Sequence, residues 1–382
     1  MALSKIDVAN MLTGLVPNDN TIRRKNAKPI IINGNCAVAQ RNTSVASLTS
    51  SGEIQTVDRI KNEIGNIGTY TVIQESLTSG EAYNNGFRKA WRIDCTSADA
   101  SPAAGDNLYV TYSFEGQDLQ LFKKGTSNAE KFTLAFWIKS NKTGTGQVNL
   151  RDNDNTRLIG GTYTISSADT WEHKVVNFAA DTTGAFDNDN AGSMDIEWWL
   201  DSGTTYSSGA TPTAWEAFAQ ADRNASGNLQ IARNTANDWA ITGIQLEVGE
   251  YSSSTLPPFQ HESFGDNLAR CQRYFFKRGN ISRLGYGAVG AHTSSAAYGA
   301  QVYFPTIMRA TPSQSHENTN TFYFTGSGQN QLLAGGGTLA NEGISKYGSS
   351  VGGTASGSLT VGNAYWFNTA DTDAYIQWDA EL

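Results

Sequence analysis

The chain has 382 residues, 38 of them glycine, with 17% charged residues and a net charge of −8. That balance suits many short strands joined by turns, and it supplies no basic stripe for nucleic-acid phosphates. No stretch approaches the ~20 consecutive apolar residues of a membrane-spanning helix, and the opening MALSKIDVAN lacks the apolar centre of a secretion signal.

Residues 1–26 carry Ile6, Val8, Met11 and Leu12 without a convincing period. The segment is too short to bury them alone, so it is expected to attach to another copy or to an adaptor; a flexible tail is the other reading. Cys36, Cys95 and Cys271 are odd in number and far apart. No disulfide framework follows, and the chain is expected to fold in a reducing cytoplasm.

Strand signals then come regularly. Pro29 to Ile32 is an apolar run stopped by Asn33-Gly34-Asn35. Phe87, Lys89, Trp91 and Ile93 alternate with Arg88, Ala90 and Arg92. Leu108, Val110, Tyr112 and Phe114 share one face. Phe132, Leu134, Phe136 and Ile138 do the same, with Thr133, Ala135 and Trp137 opposite. Residues 171–178 and 194–200 give two more strands. Ala240, Thr242, Ile244, Leu246 and Val248 alternate along another, with Gly243 marking a bulge and Pro257-Pro258 stopping it. The pattern predicts a two-sheet β-sandwich.

Two helices are expected. Thr213 and Glu216 form a capping box for 213–220, turning Trp215, Phe218 and Ala219 toward the sandwich. Asp266 caps 265–277, where Leu268, Cys271 and Phe275 recur at helical spacing. Beyond it Tyr298, Ala300, Val302 and Phe304 alternate, and Phe322, Phe324, Tyr365, Phe367, Tyr375 and Trp378 supply a second core. Gly/Ser-rich loops over 325–363 read as an exposed tip, an inter-subunit surface or plain surface loops.

Candidate chemistry is sparse. His173, His261, His292 and His316 form no metal-binding pattern, and His173 within a strand reads as structural. No nucleophile elbow or phosphate loop is present. Asp195, Glu197, Trp199 and Asp201 share one strand face, and next-but-one residues are about 6.5 Å apart, a spacing a glycosidase could use. No second element brings a matching acid, so no catalytic residue is assigned. Trp199 either packs under a loop or stands exposed as a sugar-stacking platform, with Asp195 and Glu197 accepting from hydroxyls and Tyr206 and Trp215 completing the cluster. Asp187-Asn188-Asp189-Asn190-Ala191-Gly192 begins like a calcium loop, but Trp198 stands where the closing glutamate belongs. This turn and Asp152-Asn153-Asp154-Asn155 are either hydrated turns or, at Asp187 and Asp189, a structural Ca²⁺ site. No cofactor is otherwise expected.

The stretch from Asp238 to Phe276 resembles structural proteins of tailed bacteriophages, especially marine tail-fibre and carbohydrate-binding-like proteins. Asn33-Gly34-Asn35, Gln40-Arg41 and Asp58-Arg59 look like the NGD…QRG…DRW spacing of that family's jelly roll, with Asn42 and Ile60 where it often has Gly and Trp. FTLAFWIKSNKTGT, TWEHKVVNF, VYFPTIMRATPS and AYIQWDAEL are similar to its later segments. The resemblance implies an all-β chain: attachment segment 1–26, jelly-roll-like β-sandwich 27–262, connector helix 263–278 and a smaller C-terminal β-sandwich 279–382. It implies a non-enzymatic virion protein, made in the host cytoplasm and placed on the tail or capsid surface. The expected partners are further copies in a homotrimer, another virion protein and a host surface glycan or receptor. A capsid decoration or head-fibre protein is the alternative, and a polysaccharide depolymerase the third.

Overall fold

The computed structural model describes residues 28–382 apart from 52, 226, 280–284, 292–295, 318–321, 327–328, 333–338, 355–357 and 370–373. Segment 1–26 and His292 therefore lie outside the described residues.

The chain is all-β. Strands β1 (Ser44–Ser50), β2 (Lys61–Ser76), β3 (Lys89–Ser97), β4 (Asn107–Glu115), β5 (Phe132–Lys139), β6 (Gly144–Asp152), β7 (Arg157–Ile165), β8 (Glu172–Phe178), β9 (Gly192–Ser202), β10 (Glu216–Ala217) and β11 (Asp238–Val248) form the first unit. They make one antiparallel sheet in the order β10-β7-β6-β9-β4-β2-β3-β11-β5-β8, with β1 on β2. β2 serves both halves: its first five residues pair with β4 and Thr69 to Ser76 pair with β3. Between them Asn66 (φ 52°) and Gly68 (φ 79°) turn the strand. A Cβ on Gly68 would lie 2.6 Å from the Ser97 carbonyl oxygen, so glycine is required there. The sheet thus folds onto itself as a jelly-roll-like sandwich. The inward rows read from sequence (Leu108, Val110, Tyr112, Phe114; Phe132, Leu134, Phe136, Ile138) are buried in one core with Trp91, Trp198 and Trp239.

The smaller unit packs β12 (Phe275–Gly279), β21 (Tyr375–Asp379) and β15 (Ser313–Glu317) as a three-stranded sheet. The seven-stranded sheet comprises β13 (Gly285–Ala291), β14 (Ala296–Tyr303), β16 (Phe322–Gly326), β17 (Gln329–Leu332), β18 (Leu339–Ser345), β19 (Gly348–Thr354) and β20 (Ala364–Thr369). Phe322, Phe324, Tyr365, Phe367, Ile376 and Trp378 are buried in the core these sheets share. Strands β17 to β19 occupy much of the 325–363 stretch expected as loops: glycine and serine here sit within ladders.

Helices depart from expectation. α1 (Glu81–Asn84) and α2 (Thr204–Ser207) are single turns, and α3 (Phe264–Gln272) is the connector. Residues 213–219 form no helix, and Gln220 only opens a short 3₁₀ turn, Gln220–Asp222. Glu216 and Ala217 pair with β7, and the Trp215 indole N–H donates to the Ala179 carbonyl at 2.8 Å, so sheet pairing and core burial override the capping box. α3 is capped by Ser263, whose hydroxyl accepts from the Asp266 amide and donates to its carboxylate. The helix ends at Gln272, because Phe275 already pairs with Asp379 in β12.

The Asn33, Gln40-Arg41 and Asp58-Arg59 motif joins the two units. Asn33 donates to the Val38 and Asp58 carbonyls, and Asn267 of α3 donates to Asn33. The Gln40 side chain donates to the Phe275 carbonyl at 2.8 Å. Arg41 lies 3.5 Å over the Phe275 ring and 2.8 Å from the Asp379 carboxylate. Arg59, stacked 3.5 Å from the Tyr274 ring centre, pairs with Glu381. Burial pushes the Asp58 carboxyl up to about 6, against the pull of Arg41 and the Gln40 hydrogen bonds.

Candidate functional site

The jelly roll presents two outward faces. On β9, Glu197, Trp199 and Asp201 are all buried, because residues 203–225 and 227–237 fold back across that face. Each acid anchors the covering chain. Arg223 donates to both Glu197 oxygens at 2.7 and 3.0 Å, and the Trp199 indole N–H donates to Glu197 at 3.0 Å. Arg233 reaches Asp201 at 3.1 Å. Gln147 and Asn149 of β6 donate to the backbone carbonyls of Asp222 and Arg223. Burial raises the Glu197 carboxyl, but Arg223 and the Trp199 N–H outweigh it and hold the group below its ordinary value.

Trp199 is therefore no exposed platform. Its ring is stacked 4.5 Å from Tyr109, lies 5.1 Å from the half-buried Tyr206, and has the Arg223 guanidinium 4.5 Å away. Trp215 lies elsewhere, packed 6.1 Å from Phe132 in the sandwich core. Of the proposed saccharide residues only Trp199, Tyr206 and Glu197 come together, and they do so as packing. Asp195 stays half-buried, accepts from Asn153 at 2.9 Å and lines a groove of about 280 Å³ with Lys61, Tyr109 and Arg151. Burial raises its carboxyl above the ordinary value.

The 187–192 turn is not arranged as a calcium loop. Asp187 and Asp189 are exposed, Asp189 caps the Ala191 amide, and Asn190 exchanges hydrogen bonds with Arg309 of the smaller unit. Among the described residues no three His, Cys, Asp or Glu side chains converge as a metal site. In the other acidic turn, Asp152 pairs with Lys124 at 2.6 Å, both fully buried.

The second outward face, on β11, β5 and β8, holds an aromatic cleft of about 390 Å³. Its principal lining groups are Trp137, His173, Phe87, Phe259, His261 and Gln245. Trp137 projects from β5 opposite the inward phenylalanines and pairs across the ladder with His173, their rings 5.0 Å apart. The bulge at Gly243 forms the floor: with φ 61°, a Cβ there would meet Phe87 at 2.7 Å and Trp137 at 2.8 Å. Pro257, Pro258 and Phe259 form the far wall, pinned where Gln245 donates to the Pro257 carbonyl at 2.8 Å. Phe259 meets Phe87 edge-on at 4.9 Å and His261 at 4.8 Å. Burial, with Lys174 beside His173, holds that ring below its ordinary value. Burial does the same at His261, aided by Arg88 and opposed by a backbone hydrogen bond at Asn85. Both imidazoles are thus neutral near neutral pH, each offering one N–H donor and one nitrogen acceptor.

Sequence reasoning passed over this cleft although it singled out Gly243 and Pro257-Pro258. The available signal was Trp137, a large aromatic at an outward position of a strand whose inward row was already filled.

No protein-family model matches the chain, and no curated protein matches it in sequence. Among solved structures it is similar to a putative sugar binding protein from Bacteroides thetaiotaomicron, at 14% identity over 58% of this chain and 100% of that one, with a TM-score of 0.30. TmCBM61 in complex with β-1,4-galactotriose gives 7% identity over 58% and 99%, with a TM-score of 0.26. The enzymatically active domain of bacteriophage CBA120 tailspike protein 4 gives 11% identity and a TM-score of 0.27, over 58% of this chain and 21% of that one. This chain therefore spans about a fifth of the tailspike domain's length, and similarity at this level carries nothing about ligand or activity.

Proposed function

We propose that the protein binds surface saccharide without cleaving it, as a virion adhesin of tail-fibre or tailspike type. The observation that carries the binding role is the aromatic cleft. A partly exposed Trp beside neutral imidazoles and a fixed amide offers a ring face to sugar C–H groups and hydrogen-bond partners to hydroxyls. One such stacking contact is worth about 0.5–1.5 kcal/mol, so a single chain binds in the high-micromolar to millimolar range. A homotrimer would multiply this through avidity by ~10² or more. Exposed Tyr303, Ile307, Tyr347, Val361 and Trp366, all in the smaller unit, support self-association there. Attachment through residues 1–26 to another virion protein completes the reading.

The test compares Trp137→Ala with wild type on a polysaccharide array and in adsorption to host cells, with a thermal melt as control. Weaker binding by a folded variant, with no released sugar from either protein, is the expected result. Undiminished binding would remove the cleft from the function. Released sugar would favour a depolymerase.

A further inference from the structure

A second cleft, of about 560 Å³, lies where the two units meet. One wall is the outward face of β2 and β4, with Lys61, Thr111 and Ser113; the other is the exposed face of the three-stranded sheet. On that sheet Lys277, Gln377 and Ser315 stand in register across the three strands, as do Phe275, Asp379 and Ser313 two residues along. The Gln377 amide donates to the Ser315 hydroxyl at 2.9 Å, and the Lys277 ammonium sits 3.8 Å over the Tyr375 ring. Three of the cations are matched internally, Arg41 with Asp379, Arg59 with Glu381 and Lys61 with Glu63, while Lys277 donates to the Arg41 carbonyl at 3.0 Å and Glu53 is exposed. The uncharged polar lining is hydroxyls and amides, among them Thr111, Ser113, Ser313, Ser315, Asn42 and Gln377. Past Lys61, Thr111 and Ser113 the space continues into the groove beside Asp195 and Arg151.

We infer that this junction is a second saccharide site, taking an extended, uncharged polysaccharide chain. The two charges outside those pairs, Lys277 and Glu53, are of opposite sign and favour neither an anion nor a cation, whereas a neutral polyol meets hydroxyl and amide partners without displacing the ion pairs across the walls. The volume falls within the range of small-molecule sites, and the elongated continuation suits a linear chain. The Arg41 and Arg59 pairs hold the walls at a fixed separation, so the cleft exists before ligand arrives. The inference is independent of the aromatic cleft, which uses other residues on the opposite side of the sandwich. Two sites facing opposite ways would let one chain bridge two polysaccharide strands.

The experiment uses the full chain carrying Trp137→Ala, so that the aromatic cleft is disabled. It is titrated calorimetrically with cellohexaose, maltohexaose and β-1,4-galactotriose, and with oligogalacturonate as a charged probe. Residual binding of at least one neutral probe is expected, weakened at least tenfold when Ser315→Trp fills the cleft. Gln377→Ala, which adds no bulk, should weaken it about threefold and covers the case in which Ser315→Trp fails to fold. Absence of residual binding, binding of oligogalacturonate alone, or affinity unchanged by the folded cleft variants would overturn the inference. Failure of the aromatic-cleft reading shows separately, as equal binding by wild type and Trp137→Ala.

Discussion

The two outward faces of the jelly roll begin from similar materials and end differently. Each carries a tryptophan at an outward position amid polar neighbours: Trp199 on β9 and Trp137 on β5. Over Trp199 the chain returns, and Arg223 closes the face by satisfying Glu197 twice. Over Trp137 the nearest covering segment, 249–262, is held off by the Gly243 bulge and the fixed Pro257-Pro258 turn, leaving a cleft. What decides between core and site is the long-range partner that arrives on top. The residue type alone does not.

That contrast can be broken most forcefully at Glu197. Glu197→Ala leaves a buried guanidinium unpaired and should cost about 3–5 kcal/mol. Trp199→Ala, by emptying a fully buried site, should cost a similar ~3–5 kcal/mol. Chemical denaturation measures both, and a near-neutral Trp199→Ala would mean the covering loop is not seated as described. Gly243→Val tests the other face. Its Cβ has no room and its backbone no left-handed preference, so a loss of about 1–3 kcal/mol should accompany loss of cleft binding. Trp137→Ala should cost clearly less stability than Trp199→Ala, about 1–2 kcal/mol, while weakening saccharide affinity roughly two- to tenfold.

The smallest effect is pH dependence. His173 and His261 resist protonation in the folded chain, whereas the unfolded chain takes protons at the ordinary value of 6.5. Their stabilising contribution is present above that pH and is lost as pH falls below it. His173→Gln should flatten the melting-temperature profile below pH 6.5, and an unchanged profile would show the ring to be freely solvated.

Much of the architecture was legible because strand alternation writes burial directly into the sequence. The rows from Leu108 to Phe114 and from Phe132 to Ile138 and the Gly243 bulge read correctly, whereas β11 ends at Val248, ahead of the Pro257-Pro258 pair expected to stop it. The local signals that failed were those overruled by distant partners. Thr213 and Glu216 spell a helix start, but β7 takes Glu216 into its ladder. Asp195, Glu197 and Asp201 spell an acidic surface. Arg223 and Arg233, over twenty residues further on, turn Glu197 and Asp201 into anchors for the covering loop. The Gln40-Arg41 and Asp58-Arg59 motif was visible as a pattern, but its work required Phe275, Asp379 and Glu381 from the far end of the chain.

The difference between the two faces comes down to Trp137 meeting ligand while Trp199 does not. Two-dimensional NMR of the chain labelled with ¹⁵N at tryptophan, assigned with Trp137→Phe and Trp199→Phe, reads each indole N–H separately during titration with β-1,4-galactotriose and cellohexaose. The Trp137 resonance should move with added saccharide, and the Trp199 resonance, sealed beneath Tyr109 and Arg223, should stay in place. A shift at Trp199 with Trp137 unmoved would contradict the assignment of core and site to the two faces.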